Sequence, residues 1–323
     1  MHRRRSFRLG RSRRFADRLP WYPRAGLVEF GVHLYGPQPG QTVAQCLEDN
    51  LAILRACEGA LTSLWVSDHL QDDDHPTVEG WTHLTYLAAL APSYRVGHLV
   101  LAQSFRNPAL LARMASTLQC LTDGRFTLGI GAGWKQDEYA AYDYDFGTAG
   151  RRIAQLGEAI DLIRTMWTRS PASYAGEHYR VTNAYAEPRP DPLPTILVGG
   201  QGPKLMRLVA EKADAWIWDY PLEMFRVPYD RLVAACLEIG RPLTDIRVCC
   251  EAFAHFPADP ADFPEPSPAG YLDFMTVPLG PTARDAVAQL QPLLELGVAE
   301  FIVGFEDLAT ASCFASEVVP AFQ

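Results

Sequence analysis

No run of about 18 consecutive apolar residues occurs in the chain, so no membrane-spanning helix is expected. Seven cysteines are present, an odd number, and none has the short paired spacing of a zinc site. Cys249-Cys250 are adjacent; Cys46, Cys57, Cys120, Cys236 and Cys313 are scattered through apolar, helix-like segments. The fold therefore does not depend on a disulfide framework, and free thiols in a reducing cytoplasm are expected. A dinucleotide fingerprint is also missing. Gly129-Ile130-Gly131-Ala132-Gly133 spaces its glycines as Gly-x-Gly-x-Gly, with no helix opening at once behind it. An excess of basic charge is absent from the body of the chain. Residues 1–26 hold nine arginines against one acid, Asp17, so the net charge of −9 splits into +8 there and −17 elsewhere. An acidic body argues against nucleic acid as the main partner, because phosphate neutralisation needs a basic surface.

The basic start opens with Arg4-Arg5-Ser6-Phe7, the outline of a twin-arginine export signal. Such a signal needs roughly 7–15 apolar residues next, and Gly10-Arg11-Ser12-Arg13-Arg14-Phe15 follows instead. Residues 1–26 read as a disordered arginine-rich extension, ahead of an RNA- or membrane-touching arm, and residues 27–323 as one domain.

Along that domain a short apolar run is followed by a helical pattern, again and again. Strands are expected at Glu29–Leu34, Ser63–Val66, Gly97–Ala102, Phe126–Ile130, Thr195–Val198, Ala215–Trp218, Ile246–Phe253 and Glu300–Val303. Their Val, Ile, Leu and aromatic content without strict alternation suits strands covered on both faces. Helices are expected at Thr42–Cys57, Trp81–Ala89, from Asn107-Pro108, from about Arg151, and at Pro203–Ala213, Leu222–Ile239, Thr282–Leu296 and Asp307–Val319. Pro292 should kink the seventh of these. Parallel strands with right-handed crossovers close into a barrel or spread into an open doubly wound sheet; eight units favour the barrel, and periodicity alone does not decide. Gly131–Gly150, Thr168–Pro194 (with a hairpin turning near Ala175-Gly176) and Pro257–Pro278 are enlarged loops after strands, where a barrel concentrates function.

Three segments carry candidate chemistry. Val66-Ser67-Asp68-His69 ends the second strand, where an imidazole can shuttle a proton. His75 and Asp72-Asp73-Asp74 follow, but consecutive acids cannot all face one ion, and a solvated loop is the better account. The glycines of Gly129–Gly133 allow close approach of a ligand, and Trp134 offers a flat apolar wall. Val198-Gly199-Gly200-Gln201-Gly202-Pro203 ends a strand in glycines and opens a helix, so its exposed amides suit a phosphate; Lys204 and Arg207 oppose the helix dipole unless an anion sits there.

At these residues the sequence resembles the luciferase-like family of TIM-barrel oxidoreductases. The matching pieces run in family order: Ser67–Leu70, Ser104–Ala112, Leu121–Trp134, Glu158–Ile160 with Met166-Trp167, Ile196–Gly200 and Ala213–Trp216. Gly133–Tyr139 and Tyr179-Arg180-Val181 look most like the branch that uses the deazaflavin coenzyme F420. The resemblance implies an (β/α)₈ barrel and these roles. His69 would donate or accept a proton beside the hydride-transfer carbon. Asp68 would bond the deazaflavin head group, and Leu99-Val100 would be a non-proline cis peptide against the ring. Ala102, Asn107 and Ala132 would line the ring and its ribityl chain, and Gly199, Gly200 and Gln201 would meet the phosphate. A carboxylate of Asp68 close to His69 would favour the imidazolium.

The sequence also departs from the family. Leu99 and Ala132 stand where some relatives have Ser and Thr, and Trp218-Asp219-Tyr220 differs from the usual continuation of its strand. Trp134 replaces the acid of the sugar-phosphate dehydrogenase branch, so that substrate is not expected. The first reading is hydride transfer between F420 and a small organic substrate, with no nucleic-acid or membrane partner. An FMN-dependent monooxygenase using reduced flavin and oxygen comes second, and a non-catalytic flavin-binding member third. Trp134, Tyr139 and the nearby Tyr142, Tyr144 and Phe146 favour an apolar or aromatic substrate. Relatives of this kind are often dimers, which allows a homodimer here.

Overall fold

The computed structural model describes residues 28–72, 75–264 and 277–323. The expected extension over residues 1–26, Asp73 and Asp74, and much of the Pro257–Pro278 loop lie outside the described residues.

The strands, in chain order, are β1 (Glu29–Leu34), β2 (Ser63–Val66), β3 (Arg95–His98), β4 (Leu101–Ala102), β5 (Phe126–Gly131), β6 (Ala172–Ala175), β7 (Arg180–Ala184), β8 (Thr195–Gly199), β9 (Ala215–Asp219), β10 (Arg247–Ala254) and β11 (Glu300–Phe305). All except β6 and β7 pair in parallel around one sheet. Pairing of β3 with β5 through Val96 and Phe126, and of β4 with β5 through Leu101 and Ile130, closes it into an eight-position barrel. Closure removes the open-sheet alternative. The third expected strand is split: β3 and β4 share one barrel position and flank a cis Leu99-Val100 peptide. β6 and β7 form the expected hairpin outside the barrel.

The helices are α1 (Val43–Ala56), α2 (Gly80–Leu90), α3 (Pro108–Leu121), α4 (Gln136–Ala141), α5 (Ala149–Thr168), α6 (Pro203–Lys212), α7 (Leu222–Ile239), α8 (Ala283–Glu295) and α9 (Leu308–Cys313). α1 starts in a reciprocal Thr42–Gln45 capping box. α3 starts at Pro108 with the Asn107 carbonyl oxygen accepting from the amides of Ala109 and Leu110. Pro292 falls in the last turn of α8, and the helix runs through it to Glu295. The segment expected as one helix over Asp307–Val319 instead passes from α9 into a wider turn at Phe314–Val318 and a tight one at Val319–Phe322; Pro320 lacks the amide that would extend an α ladder.

Alternate residues of each strand face the barrel interior, giving stacked layers. The middle layer is apolar: Trp65, Leu99, Leu197, Ala215, Ile217, Cys249 and Ile302 form one cluster. Toward the N-terminal ends of the strands lies an ionic layer. Arg95 reaches Glu29 at 2.5 Å and Glu300 at 3.2 Å, and Arg247 reaches Glu29 at 2.7 Å and Glu300 at 3.0 Å. Burial pushes the Glu300 carboxyl up, but the two guanidiniums outweigh it and hold the group below its ordinary range. The closed end of the barrel is thus plugged by two acids and two bases in balance. Function is left to the other end.

Candidate functional site

The C-terminal end of β2 releases Ser67, Asp68 and His69 at the mouth of the barrel. Asp68 is buried, and its carboxylate is fully engaged. It accepts from the Ala102 amide at 3.0 Å and from both terminal nitrogens of Arg106 at 2.8 Å each. Arg106 also pairs with Glu79, whose carboxylate caps α2 through the amides of Trp81 and Thr82. This forked pairing ties β2, β4 and the start of α2 together. It also corrects the expectation that Asp68 polarises His69: adjacent side chains on an extended backbone diverge, and Asp68 turns to Arg106.

His69 keeps a third of its side chain exposed and gives its Nδ1 to a different acid, Glu138, at 3.1 and 3.2 Å. Glu138 is buried and accepts in addition from the amides of Leu70 at 2.8 Å and Gln71 at 3.3 Å. Burial pushes its carboxyl up, but the imidazole and the two amides prevail and hold it below the ordinary value, so it is a carboxylate at neutral pH. A carboxylate only accepts, so Nδ1 carries the hydrogen and Nε2 is left available to the cavity. The His69 ring stands edge-on to Trp134, centroids 6.0 Å apart.

Opposite His69, the cis Leu99-Val100 peptide lies between β3 and β4. Glycine is required around it. A Cβ on Gly131 would come within 2.9 Å of Val100 Cγ2, and one on Gly199 within 3.0 Å. Asp68, His69, Leu99, Val100, Ala102, Trp134 and Tyr139 line a single cleft that encloses about 70 Å³ of free space. Trp134 is 56% exposed at this mouth, whereas Tyr139 is buried, bonds Ser104 through its hydroxyl at 3.2 Å and packs on Phe105 and Phe146.

The turn after β8 approaches from the neighbouring strand. Gly200 has φ +129°, and α6 opens at Pro203 with no side chain capping its first amides. Gly199 abuts Val100, so this turn and the cleft share one rim. Gly199, Gly200 and Gln201 are outside the cleft lining, as are Ala132, which packs against the core, and Asn107, an exposed helix cap. Glu138 and Arg106 are the residues that sequence reasoning missed. Both stand inside quoted motifs, but α4 was read as loop and no pairing was assigned to Arg106.

The closed parallel barrel defines the class as a TIM barrel, and its polar, aromatic-walled cleft at the C-terminal mouth is the candidate site. The luciferase-like monooxygenase family model matches residues 28–297, and the chain belongs to that family. An F420-dependent glucose-6-phosphate dehydrogenase of Kineococcus radiotolerans is 34% identical over 170 residues, 51% of this chain and 50% of that protein. A protein of the same name from Kribbella flavida is 27% identical over 306 residues, 83% of this chain and 91% of that protein. The chain thus spans about half the length of the first relatives it matches. Among solved structures, an F420-dependent secondary alcohol dehydrogenase bound to an F420-acetone adduct superposes with a TM-score of 0.77 at 18% identity, covering 92% of this chain and 99% of that one. The monooxygenase RslO1 of Streptomyces bottropensis gives 0.73 at 18% identity, over 91% and 100%.

Proposed function

We propose that the protein is an oxidoreductase that moves a hydride between coenzyme F420 and a small organic substrate. The observation that carries the reading is the grouping of His69, the cis Leu99-Val100 peptide and the glycine turn before α6 on one rim. The residues suit the group. Val100, flanked by Gly131 and Gly199, would face the flat ring; Leu99, Ala102 and Ala132 would border it; and the amides of Gly200 and Gln201 with the α6 N-terminus would meet its phosphate. Asn107 would reach the ribityl chain only through its amide nitrogen, because its oxygen caps α3. Asp68 would act on the head group through the Ala102 segment that it fixes. When bound, the coenzyme supplies the hydride chemistry. His69, its Nδ1 held by Glu138, takes up or delivers the substrate proton at Nε2. Trp134 and Tyr139 would form the substrate-side wall. Relatives of this chain carry F420 in their names, which supports the coenzyme; glucose 6-phosphate is not assigned, because Trp134 stands where that branch has an acid.

An FMN-dependent monooxygenase is the second reading, favoured by the family's description and the likeness to RslO1. Titration of the apo-protein with F420 and with FMN separates the two. Tight FMN binding with oxygen-dependent product and no F420 binding refutes the first. A flavin-binding member without activity would show cofactor binding but no effect of His69→Ala on turnover. The reading includes a cytoplasmic homodimer; among the described residues no helix is long and apolar enough to cross a membrane.

A further inference from the structure

The two ends of the barrel interior differ in charge balance. At the closed end Glu29 and Glu300 each face Arg95 and Arg247. At the open end, strand alternation brings His33 of β1 and Tyr35 after it, Ser67 after β2, Asp219 of β9 and Glu251 of β10 into the layer above the apolar belt. His33 lies between Glu251, 2.7 Å from its Nδ1, and the Ser67 hydroxyl, 2.9 Å from Nε2. Among the described residues no Lys or Arg forms an ion pair with Asp219 or Glu251, and Asp219, partly exposed, has no hydrogen-bond partner. The Tyr35 ring packs on His33 at 4.4 Å, and its buried hydroxyl has no partner either. Glu251 is paired to His33, but the Asp219 carboxyl and the buried Tyr35 hydroxyl beside it have no partner, an arrangement that a ligand completes.

Metal ions fit poorly. The triad whose ligand atoms converge within 4.8 Å among the described residues is Glu158, Glu177 and His178, on the hairpin outside the barrel. The open-end groups are spread further, as an organic cation with several N–H donors requires. We propose that Asp219, Glu251 and Tyr35 form the substrate subsite and take the ammonium group of an amine substrate. This inference rests on the hydride-transfer reading only for the word substrate; the subsite itself rests on the charge layer.

A second property follows from the same layer. Burial, with Glu251 adding to it, pushes the Asp219 carboxyl up to about 8, so it is protonated at pH 7. The titratable groups around it are Glu251 and Cys250 of β10 and Tyr35 and His33 after and on β1. A bound ammonium favours the ionised form, so binding should release about one proton.

The test uses benzylamine, benzyl alcohol and benzoate, matched in shape and carrying one positive, no and one negative charge at pH 7. Calorimetric titration of the wild-type protein is run in phosphate and in Tris, whose ionisation enthalpies differ. Benzylammonium should bind about tenfold or more tightly than benzyl alcohol, with benzoate weaker still, and release about one proton. Asp219→Asn and Glu251→Gln, each checked for folding by its melting curve, should each cost about tenfold in benzylammonium affinity, and Asp219→Asn should abolish the proton release. Equal affinity for the three compounds in the wild type overturns the proposal without recourse to any variant. Benzoate preference, or unchanged benzylammonium affinity in a folded Asp219→Asn protein, also overturns it. F420 binding to the wild type is measured in parallel. Its loss with the charge discrimination intact refutes the coenzyme assignment alone, and the reverse pattern refutes the subsite alone.

Discussion

Replacing Glu138 by Gln changes one oxygen of a buried side chain to nitrogen and tests how His69 is held. In the wild type a carboxylate serves three donors, His69 Nδ1 at 3.1 Å and the Leu70 and Gln71 amides at 2.8 and 3.3 Å. Hydrogen bonds to a charged group stabilise by about 1.5–3 kcal/mol each and neutral ones by about 0.5–1.5, so removing the charge weakens each by about 1. Three bonds give a loss of about 3 kcal/mol at most, reduced because a carboxylate need no longer be buried; a drop of about 1–3 kcal/mol is expected. Glutamine keeps one acceptor oxygen, which the two amides claim, and turns its NH₂ toward His69. A donor there forces Nδ1 to accept, so the imidazole hydrogen moves to Nε2 and that atom can no longer take up a proton from the neutral state.

The assay has two parts. Long-range proton–nitrogen correlation spectra report the His69 tautomer, expected to be Nδ1–H in wild type and Nε2–H in the variant. Urea unfolding as a function of pH reports the charge. The folded-state carboxyl of Glu138 lies below its ordinary value of 4.5, so its stabilisation is complete above about pH 4.5 and is lost as pH falls through the lower folded value. Glutamine does not titrate, and the gap between the two proteins must close on acidification. An unchanged tautomer together with a constant gap down to pH 3 would refute the pairing. With a substrate in hand, kcat in the direction that needs a base should fall about 10²-fold or more.

Other perturbations follow from the same geometry. Arg106→Ala strands the buried Asp68 carboxylate and should cost about 3–5 kcal/mol by chemical unfolding, while Arg106→Lys, which cannot fork, recovers only part of it. His98, buried and stacked on Trp81 at 5.1 Å, is held neutral down to about pH 3 by burial and then by Arg106. The unfolded chain binds a proton at about pH 6.5 and the folded chain does not, so stability is full above that pH. Below it, stability should fall by about 1.4 kcal/mol per pH unit. His98→Phe should remove that slope in pH-dependent melting, and an unaltered slope would assign the acid lability elsewhere. Gly199→Ala places a methyl 3.0 Å from Val100 Cγ2 and should weaken F420 binding about tenfold in fluorescence titration while the barrel stays folded. Unchanged affinity would separate that turn from the cofactor.

Much of the barrel was legible because each strand is a short run of apolar residues closed off by Gly, Pro or a helix cap. α7 was expected at Leu222–Ile239 and occupies that span, ended by Gly240 in the left-handed conformation. What escaped was local irregularity and contact through space. β3 and β4 read as one strand because Leu99-Val100 is as apolar as its neighbours and no pattern of polarity marks a cis bond; the cis peptide was expected there from the family resemblance alone, and it is present. α4 is six residues long and lies in an acidic, aromatic loop, too short to show a helical stripe. The pairings that define the site join Asp68 to Arg106 and His69 to Glu138, separations of 38 and 69 residues, which no periodicity encodes.

The two acids nearest His69 therefore exchange the roles that sequence proximity suggests. Asp68 is its neighbour in the chain, yet Arg106 and the Ala102 amide saturate it, and it acts by fixing the loop and the segment after the cis bond. Glu138 is remote in the chain, yet it sets the tautomer of His69 and ties down the backbone that carries it. A substitution at Asp68 should therefore damage folding first, and one at Glu138 proton transfer first. The order can be read by comparing melting temperature with the pH profile of turnover for Asp68→Asn and Glu138→Gln side by side. If Asp68→Asn shifts the pH profile while leaving the melting temperature in place, the two acids do not divide their roles in this way.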